Sequence, residues 1–309
     1  MEKFQFDLFR DIVVGDAAVL EPALVASEPL TCESNFLNLF VWQKHYSSKF
    51  QIFEGRPYAY LLNEDELLFP GKKDGEYPPP AELAEISRVM AAHGKSGIFY
   101  QTPADYLTAM PDYSVYFRAE QIHEDYGEYI YNIEDLVELR GAKLHKKKNL
   151  ISQFERLYSE VRILPFSKEL IPACRTLLER WSRIKEAAEP DEIRELEEEH
   201  AVIERAFAEC DHLHMTGCCV FVGELLVAFA ICSRVNSEMF TVHFEKNDPA
   251  YKGSGQVINR EMARMLSGQG TLINREQDLG VEGLRHAKSS YAPVELLRNY
   301  SLIPLGTER

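Results

Sequence analysis

The sequence predicts an α+β fold of two tandem units, each a mixed, mostly antiparallel sheet flanked by helices. Three observations point there. At 309 residues the chain is too long for one small module and suits two domains of about 100–200 residues each. Each half runs helix first and then short apolar stretches separated by turn residues. The halves also differ in charge: residues 1–140 carry 11 basic and 24 acidic side chains, residues 141–309 carry 23 and 25. The division is therefore placed at 140.

In the first unit, residues 32–46 set Phe36, Leu37, Leu39, Phe40 and Trp42 at near-helical spacing. Three strands follow at 49–53, 58–62 and 66–69, a meander. Residues 81–93 turn Leu83, Ile86, Val89 and Met90 inward as a helix that Gly94 stops, and 97–101 reads as a strand. The second unit opens with a helix at 143–158, where Leu144, Leu150, Ile151, Phe154, Leu157 and Tyr158 form an apolar stripe beneath a basic start. A strand is expected at 161–165, then helices at 168–187 and 191–209 broken at Pro190, with Glu195 and Glu197 to Glu199 facing water. Strands at 215–222, 225–232 and 239–245 make an antiparallel meander, its first turn at Gly223-Glu224. A loop with Gly253 and Gly255, a helix at 256–266, a strand at 271–275, a short helix at 281–288 and a last strand at 297–304 complete the unit.

Composition narrows the function. With 45% hydrophobic and 27% charged residues the chain is an ordinary globular protein. Its net charge of −15 argues against a general nucleic-acid coat, while the nearly neutral second half is suited to an anionic ligand. The longest apolar run, 225–232, is far short of the ~18 residues that cross a bilayer, and the chain reads as cytoplasmic. Six scattered cysteines without a CxxC pair read as reduced thiols.

The element order of the second unit, a helix pair, a three-strand meander, a glycine loop, helix, strand, short helix and strand, resembles that of GNAT acyltransferases. In that fold the fourth and fifth strands splay apart, and backbone groups left unpaired there hold the pantetheine arm of an acyl donor. The loop after the fourth strand offers N–H groups at a helix N-terminus to a pyrophosphate. The resemblance makes 239–245 the fourth strand, 251–256 the loop and 271–275 the fifth. It sets Lys246, Lys252, Gly253, Ser254, Gly255, Asn274 and Arg275 beside a donor. Ala250 stands where the superfamily loop carries Gln or Arg.

A narrower likeness rests on Lys147-Lys148-Asn149 with Phe154, His243-Phe244-Glu245-Lys246, the run from Asn274 to Gly280, Gly283-Leu284-Arg285, Lys288 and Ser290-Tyr291-Ala292-Pro293. These resemble a largely uncharacterised bacterial family grouped with the catalytic domain of phosphatidylglycerol lysyltransferase, whose members are similar to two tandem GNAT-like domains. Relatives include aminoacyltransferases that use aminoacyl-tRNA and, like Fem-type peptidyltransferases, lack the coenzyme A loop. The resemblance therefore implies transfer of an acyl or aminoacyl group, from acyl-CoA or aminoacyl-tRNA, to an amine or hydroxyl of a small molecule or peptide. The second unit would bear the cleft and the first would be degenerate.

The residues themselves suggest roles. Loss of the acceptor's proton calls for a carboxylate within hydrogen-bond reach, and Glu245, Glu276 and Asp278 are the candidates. Arg275 would pair with one of them or hold a donor anion. Tyr291 would protonate a thiolate leaving group or simply pack. Lys143, His145, Lys146, Lys147 and Lys148 form the one dense basic run, suited to phosphate or an RNA acceptor stem, with Lys147 and Lys148 as donor contacts. Cys210, His212, His214 and Cys218 lack metal-site spacing, so no metal is expected, and His243 reads as a satisfied core histidine. If the two strands are neighbours, Glu245, Lys246, Arg275, Glu276 and Asp278 reach one sheet edge around a water-filled pocket. The alternative is a ligand-sensing or interaction protein without catalysis.

Overall fold

Two seven-stranded sheets organise the residues that the computed structural model describes, 3–188 and 193–306. The strands are β1 (Arg10–Asp11), β2 (Ser48–Phe53), β3 (Arg56–Leu61), β4 (Glu66–Leu68), β5 (Ile98–Thr102), β6 (Phe117–Gln121) and β7 (Glu128–Asn132), then β8 (Val161–Pro165), β9 (Thr216–Val222), β10 (Leu225–Arg234), β11 (Met239–Asn247), β12 (Leu272–Asn274), β13 (Glu295–Leu297) and β14 (Tyr300–Pro304). One sheet runs β1-β2-β3-β4-β5-β14-β6 and the other β8-β9-β10-β11-β12-β7-β13. Position for position the two orders match, and so do the directions. Every described pairing is antiparallel except β4–β5 in the first sheet and β11–β12 in the second. This is the α+β class expected, with mostly antiparallel sheets flanked by helices.

Each sheet holds one strand from the other half of the chain: β7 lies between β12 and β13, and β14 between β5 and β6. The single last strand expected at 297–304 is thus two strands in different sheets, with the chain crossing between them at Arg298-Asn299. Strand alternation cannot report such a crossing, because both pieces are short and their partners are remote in sequence. The helix Ala17–Ala26 lies outside the expected elements too, since Pro22 sits inside it and its faces differ little in polarity.

Elsewhere local chemistry explains the elements. Asn35 caps the helix Phe36–Val41 by accepting from the N–H groups of Leu37 and Asn38. The central strand β10 is buried along eight consecutive residues, so it reads as a continuous apolar run. Helix Ser254–Leu266 buries Val257, Ile258, Met262, Ala263 and Leu266 against that sheet. A further core joins the halves, with Phe36 and Phe40 meeting Ile203, Phe207, Phe229 and Phe244. At about 1.5–3 kcal/mol for each large apolar side chain buried, this seam is a permanent core, not a loose domain contact. The break expected at Pro190 lies outside the described residues.

The parallel pairs are short. β11 and β12 pair at Met239↔Leu272, Phe240↔Ile273 and Thr241↔Asn274. β11 then continues to Asn247 beside β10, while the N–H of Arg275 donates to the carbonyl of Tyr129 on β7. The two strands part there, as the expected splay requires. β4 and β5 part in the same way after Leu68↔Tyr100.

Candidate functional site

Beyond the last parallel pair, β11 carries a bulge. Ile231 faces Phe244 and Cys232 faces Val242, which leaves His243 as the extra residue. A bulge re-aims the side chains that follow it. Phe244 and Lys246 now face one side of the sheet and Glu245 the other. Lys246 accordingly points away from Glu245: its ammonium donates to both carboxylate oxygens of Glu199 at 2.7 Å and lies 3.8 Å from the ring centroid of Trp181. Two expectations are corrected by this pairing. Lys246 does not share the edge with Glu245, and Glu199 turns to the sheet, not to water.

On the other face Arg275 Nη2 donates to both oxygens of Glu245 at 3.0 Å. The guanidinium lies 5.2 Å from the Tyr291 ring and 5.8 Å from that of Tyr131. Lys147, the one inward-turned lysine of the basic run, sets its Nζ 4.3 Å from the same Tyr291 ring. Burial works against the charge of Arg275, but Glu245 and the two tyrosines outweigh it and raise the pKa. Lys147 is shifted down by burial and by Arg275. Arg275 Nη1 is buried with no hydrogen-bond partner among the described residues. Two cations thus share an aromatic ring with one donor left over, and an anion between them would relieve both. Burial also raises the pKa of Tyr291 and keeps its phenol protonated.

A second group lines the splay. Glu276, at φ +59, lies 3.2 Å from Nδ1 of His243, whose side chain is 3% exposed. His243 Nε2 is 2.8 Å from the Ser233 hydroxyl, and Ser233 donates to Asn35 at 3.0 Å. Glu276 keeps 26% of its side chain accessible.

Asp278 stands apart. It is fully buried and accepts from Tyr129 Oη at 2.6 Å, from Arg285 at 3.0 Å and from the Gly280 N–H at 2.9 Å. Burial pushes its pKa up, but these donors outweigh burial and hold it below the usual value. Arg285 also bridges to Asp125. The cluster fastens the loop after β12 to β7. Asn274, fully buried, ties β12 to the first half by donating to Glu128, which also accepts from Thr31 and the Cys32 N–H. The water-filled pocket expected among Glu245, Lys246, Arg275, Glu276 and Asp278 is replaced by these pairings, because isolated charges are costly to bury.

The glycine loop is occupied by the protein itself. A Cβ on Gly253 would meet the Leu150 carbonyl oxygen at 2.6 Å and one on Gly255 would meet Asn247 at 3.1 Å, so helix His145–Leu157 packs directly over the loop. Lys252 N–H donates to Tyr158 Oη, and the N–H groups of Ser254, Gln256 and Val257 donate to backbone carbonyls. The Ser254 hydroxyl donates to the Asp248 carbonyl. The Lys252 and Lys148 side chains are exposed.

Sequence reasoning misses Tyr131 and the Ser233–His243 contact. The aromatic residues of β7 are the available signal, which goes unread where no strand is expected. Of the four cysteines and histidines between 210 and 218, His214 contacts Glu21 and Cys218 lies buried in β9. Among the described residues no helix is long and apolar enough to cross a membrane.

Residues 26–303 match a family described as "Phosphatidylglycerol lysyltransferase, C-terminal". The fold is similar to a conserved protein of unknown function from Bacteroides thetaiotaomicron VPI-5482, at 27% identity over 96% of this chain and 99% of that one, with a TM-score of 0.86. It is also similar to a C-terminal domain assigned to a lysylphosphatidylglycerol synthetase of Agrobacterium fabrum, at 13% identity over 94% and 92% of the two chains and a TM-score of 0.63. The L-PGS of Bacillus licheniformis matches at 13% identity over 83% of each chain, with a TM-score of 0.56. At those last two identities the likeness shows the fold alone. A protein of Mycoplasmoides gallisepticum is 22% identical over 186 residues, which span 60% of this chain and 58% of that relative. With its repeated strand order and splayed parallel pairs, the architecture is a tandem GNAT-like one.

Proposed function

The chain belongs to this family of phosphatidylglycerol lysyltransferase C-terminal domains, and from that premise we propose that it transfers an aminoacyl group to an amine or hydroxyl acceptor at the opening between β11 and β12. The family is of the transferase type; donor, acceptor and residue roles are the proposal. One observation carries it: Arg275 Nη1, buried and unpartnered among the described residues, belongs to a guanidinium that faces the same tyrosine ring as Lys147. These two cations hold the anionic part of the donor. Glu276 takes the proton of the attacking amine or hydroxyl, and His243 orients its carboxylate. The acyl carbon forms its bond to the acceptor, and the bond to the leaving oxygen breaks as Tyr291 protonates it. A phenol whose pKa is raised by burial is matched in basicity more closely to a departing alkoxide than to a thiolate. That favours an ester donor, aminoacyl-tRNA, over acyl-CoA, as do the amides of Lys252, Ser254, Gln256 and Val257, already engaged with Tyr158 and backbone carbonyls. Glu245 positions Arg275, and Asp278 anchors the loop. The reading keeps two repeats divided near 140, with β7 and β14 exchanged.

The test is a titration with charged tRNA and with acyl-CoA, followed by acyl transfer to amine and hydroxyl acceptors. Saturable binding of charged tRNA, with transfer lost in Glu276→Gln, is expected. Tight acyl-CoA binding without tRNA binding would overturn the donor assignment. The contact of Arg275 Nη2 with both oxygens of Glu245 also favours a second reading, a sensor that binds without turnover; binding of charged tRNA with no transfer in a single-turnover experiment would establish it.

A further inference from the structure

The first sheet has an opening of its own, where β4 and β5 part, and a cavity of about 280 Å³ lies against it. Gln101 and Asn299 line it and are 4% and 3% exposed. Asn299 Nδ2 donates to Gln101 Oε1 at 3.0 Å, which leaves Gln101 Nε2 and Asn299 Oδ1 buried without hydrogen-bond partners among the described residues. Exchanging nitrogen and oxygen in both amides keeps the tally: one NH2 and one carbonyl of the hydrogen-bonded pair remain free. Such a pair is costly to leave unsatisfied. Gln101 also sits at φ +61, a conformation glycine adopts far more easily. Its amide is thus held in place against both backbone preference and burial.

The rest of the lining narrows the ligand. Phe69 and Tyr77 present rings 5.9 Å apart. The Tyr77 hydroxyl donates to Asp105 at 2.5 Å and Lys72 lies 3.3 Å from Glu28; with Asp105 and Glu238 also in the lining its charge is net negative, which disfavours an anionic ligand. The volume is at the lower end for small-molecule sites and suits one ring.

We propose that this cavity binds a small, neutral, planar molecule whose edge presents an N–H beside a carbonyl, as in a lactam heterocycle or a primary carboxamide. The N–H donates to the free carbonyl of the Gln101–Asn299 pair, the ligand carbonyl accepts from the free NH2, and the plane rests on one of the Phe69 and Tyr77 rings, which stand at 61° to each other. The site is independent of the transfer reading, since it shares no residue with the β11–β12 opening.

Ligand-observed NMR and calorimetry with uracil, nicotinamide and 1,3-dimethyluracil test it. Uracil or nicotinamide should bind saturably; uracil alone identifies a ring lactam, nicotinamide alone an open carboxamide. Dimethyluracil, which lacks the N–H, should not bind. Gln101→Gly removes the amide where glycine is comfortable, which offsets the lost Asn299 contact, so the fold should be retained while binding weakens by about tenfold or more. Glu276→Gln should bind the probe like the wild type, which keeps failure here distinct from failure of the transfer site. No saturable binding of either probe at millimolar concentration, equal binding by Gln101→Gly, or equal binding of dimethyluracil would overturn the proposal.

Discussion

At the opening of the first sheet the chain places two amides and two aromatic rings around a void; at the matching opening of the second it places Arg275 on Glu245 and Glu276 on His243. The strands around both have the same order and the same directions. The repeated backbone supplies a gap in the ladder, and the side chains that follow the parallel pair decide whether that gap is left as a cavity or filled by paired charges. Chemistry therefore belongs to the site and not to the fold, and the charged opening is the one suited to proton transfer.

The sharpest division between the openings would come from Glu276. Glu276→Gln should reduce transfer by about 10²–10⁴-fold, the usual contribution of a positioned general base, with the melting temperature little changed. Asp278→Asn should do the reverse in kind: it weakens a buried set of charge-assisted hydrogen bonds, each worth about 1.5–3 kcal/mol, so the loss appears first in stability. Equal activity in wild type and Glu276→Gln would end the assignment of the second opening as the catalytic one.

Arg275→Met leaves Glu245 in a mostly buried site without its partner. Breaking such a pair costs about 3–5 kcal/mol, measurable by chemical denaturation, and the double variant Arg275→Met/Glu245→Leu should recover much of it. A loss no larger than that of a surface substitution would mean that the second opening is as unfilled as the first.

Glu33 accepts from Gln277 at 3.3 Å. Burial, then the charges of Glu128 and Glu276, push its pKa up to about 8 from 4.5. Its folded value is above the unfolded one, so as pH rises the unfolded chain releases this proton first. The stabilising contribution is complete below about 4.5 and is lost as pH climbs to about 8. The melting temperature of Glu33→Gln should lack that component of the decline, and parallel profiles for both proteins would show that Glu33 is solvated.

The smallest effect is expected at the outer lysines. Neutralising Lys146 and Lys148, both exposed, should weaken binding of charged tRNA modestly and lower the salt slope by about one for each phosphate that is no longer neutralised. Lys147→Met should cost more affinity, because that side chain sits on the Tyr291 ring. If all three lysines behave alike, the contrast between a facing and an outward lysine fails.

Much of the element pattern was legible. Helices Pro80–Ala92, His145–Leu157 and Ser254–Leu266 and the β9–β10–β11 meander follow from apolar spacing and turn residues alone. The splay of β11 and β12 came only from what the resemblance to the GNAT fold implies. The sequence also names Lys147, Glu245, Arg275 and Tyr291 as charged or polar residues of interest, without saying that they meet around one ring. Lys246 illustrates the limit. In sequence it adjoins Glu245; because β11 runs on to Asn247 the period of two sends the pair to opposite faces, and the bulge at His243 decides which face each takes.

What the sequence by itself determined is local: where helices and strands begin and end, because near neighbours make the helical turns and the alternation of a strand. The tertiary structure decided the rest. β7 and β14 cross into each other's sheets because the partners that satisfy their backbone groups lie more than a hundred residues away, and strands this short carry no address for so distant a neighbour. The packing of Leu150 over Gly253 was decided in the same way. A glycine reads alike in sequence whether its open side meets a phosphate or another helix, and only the position of that helix tells them apart.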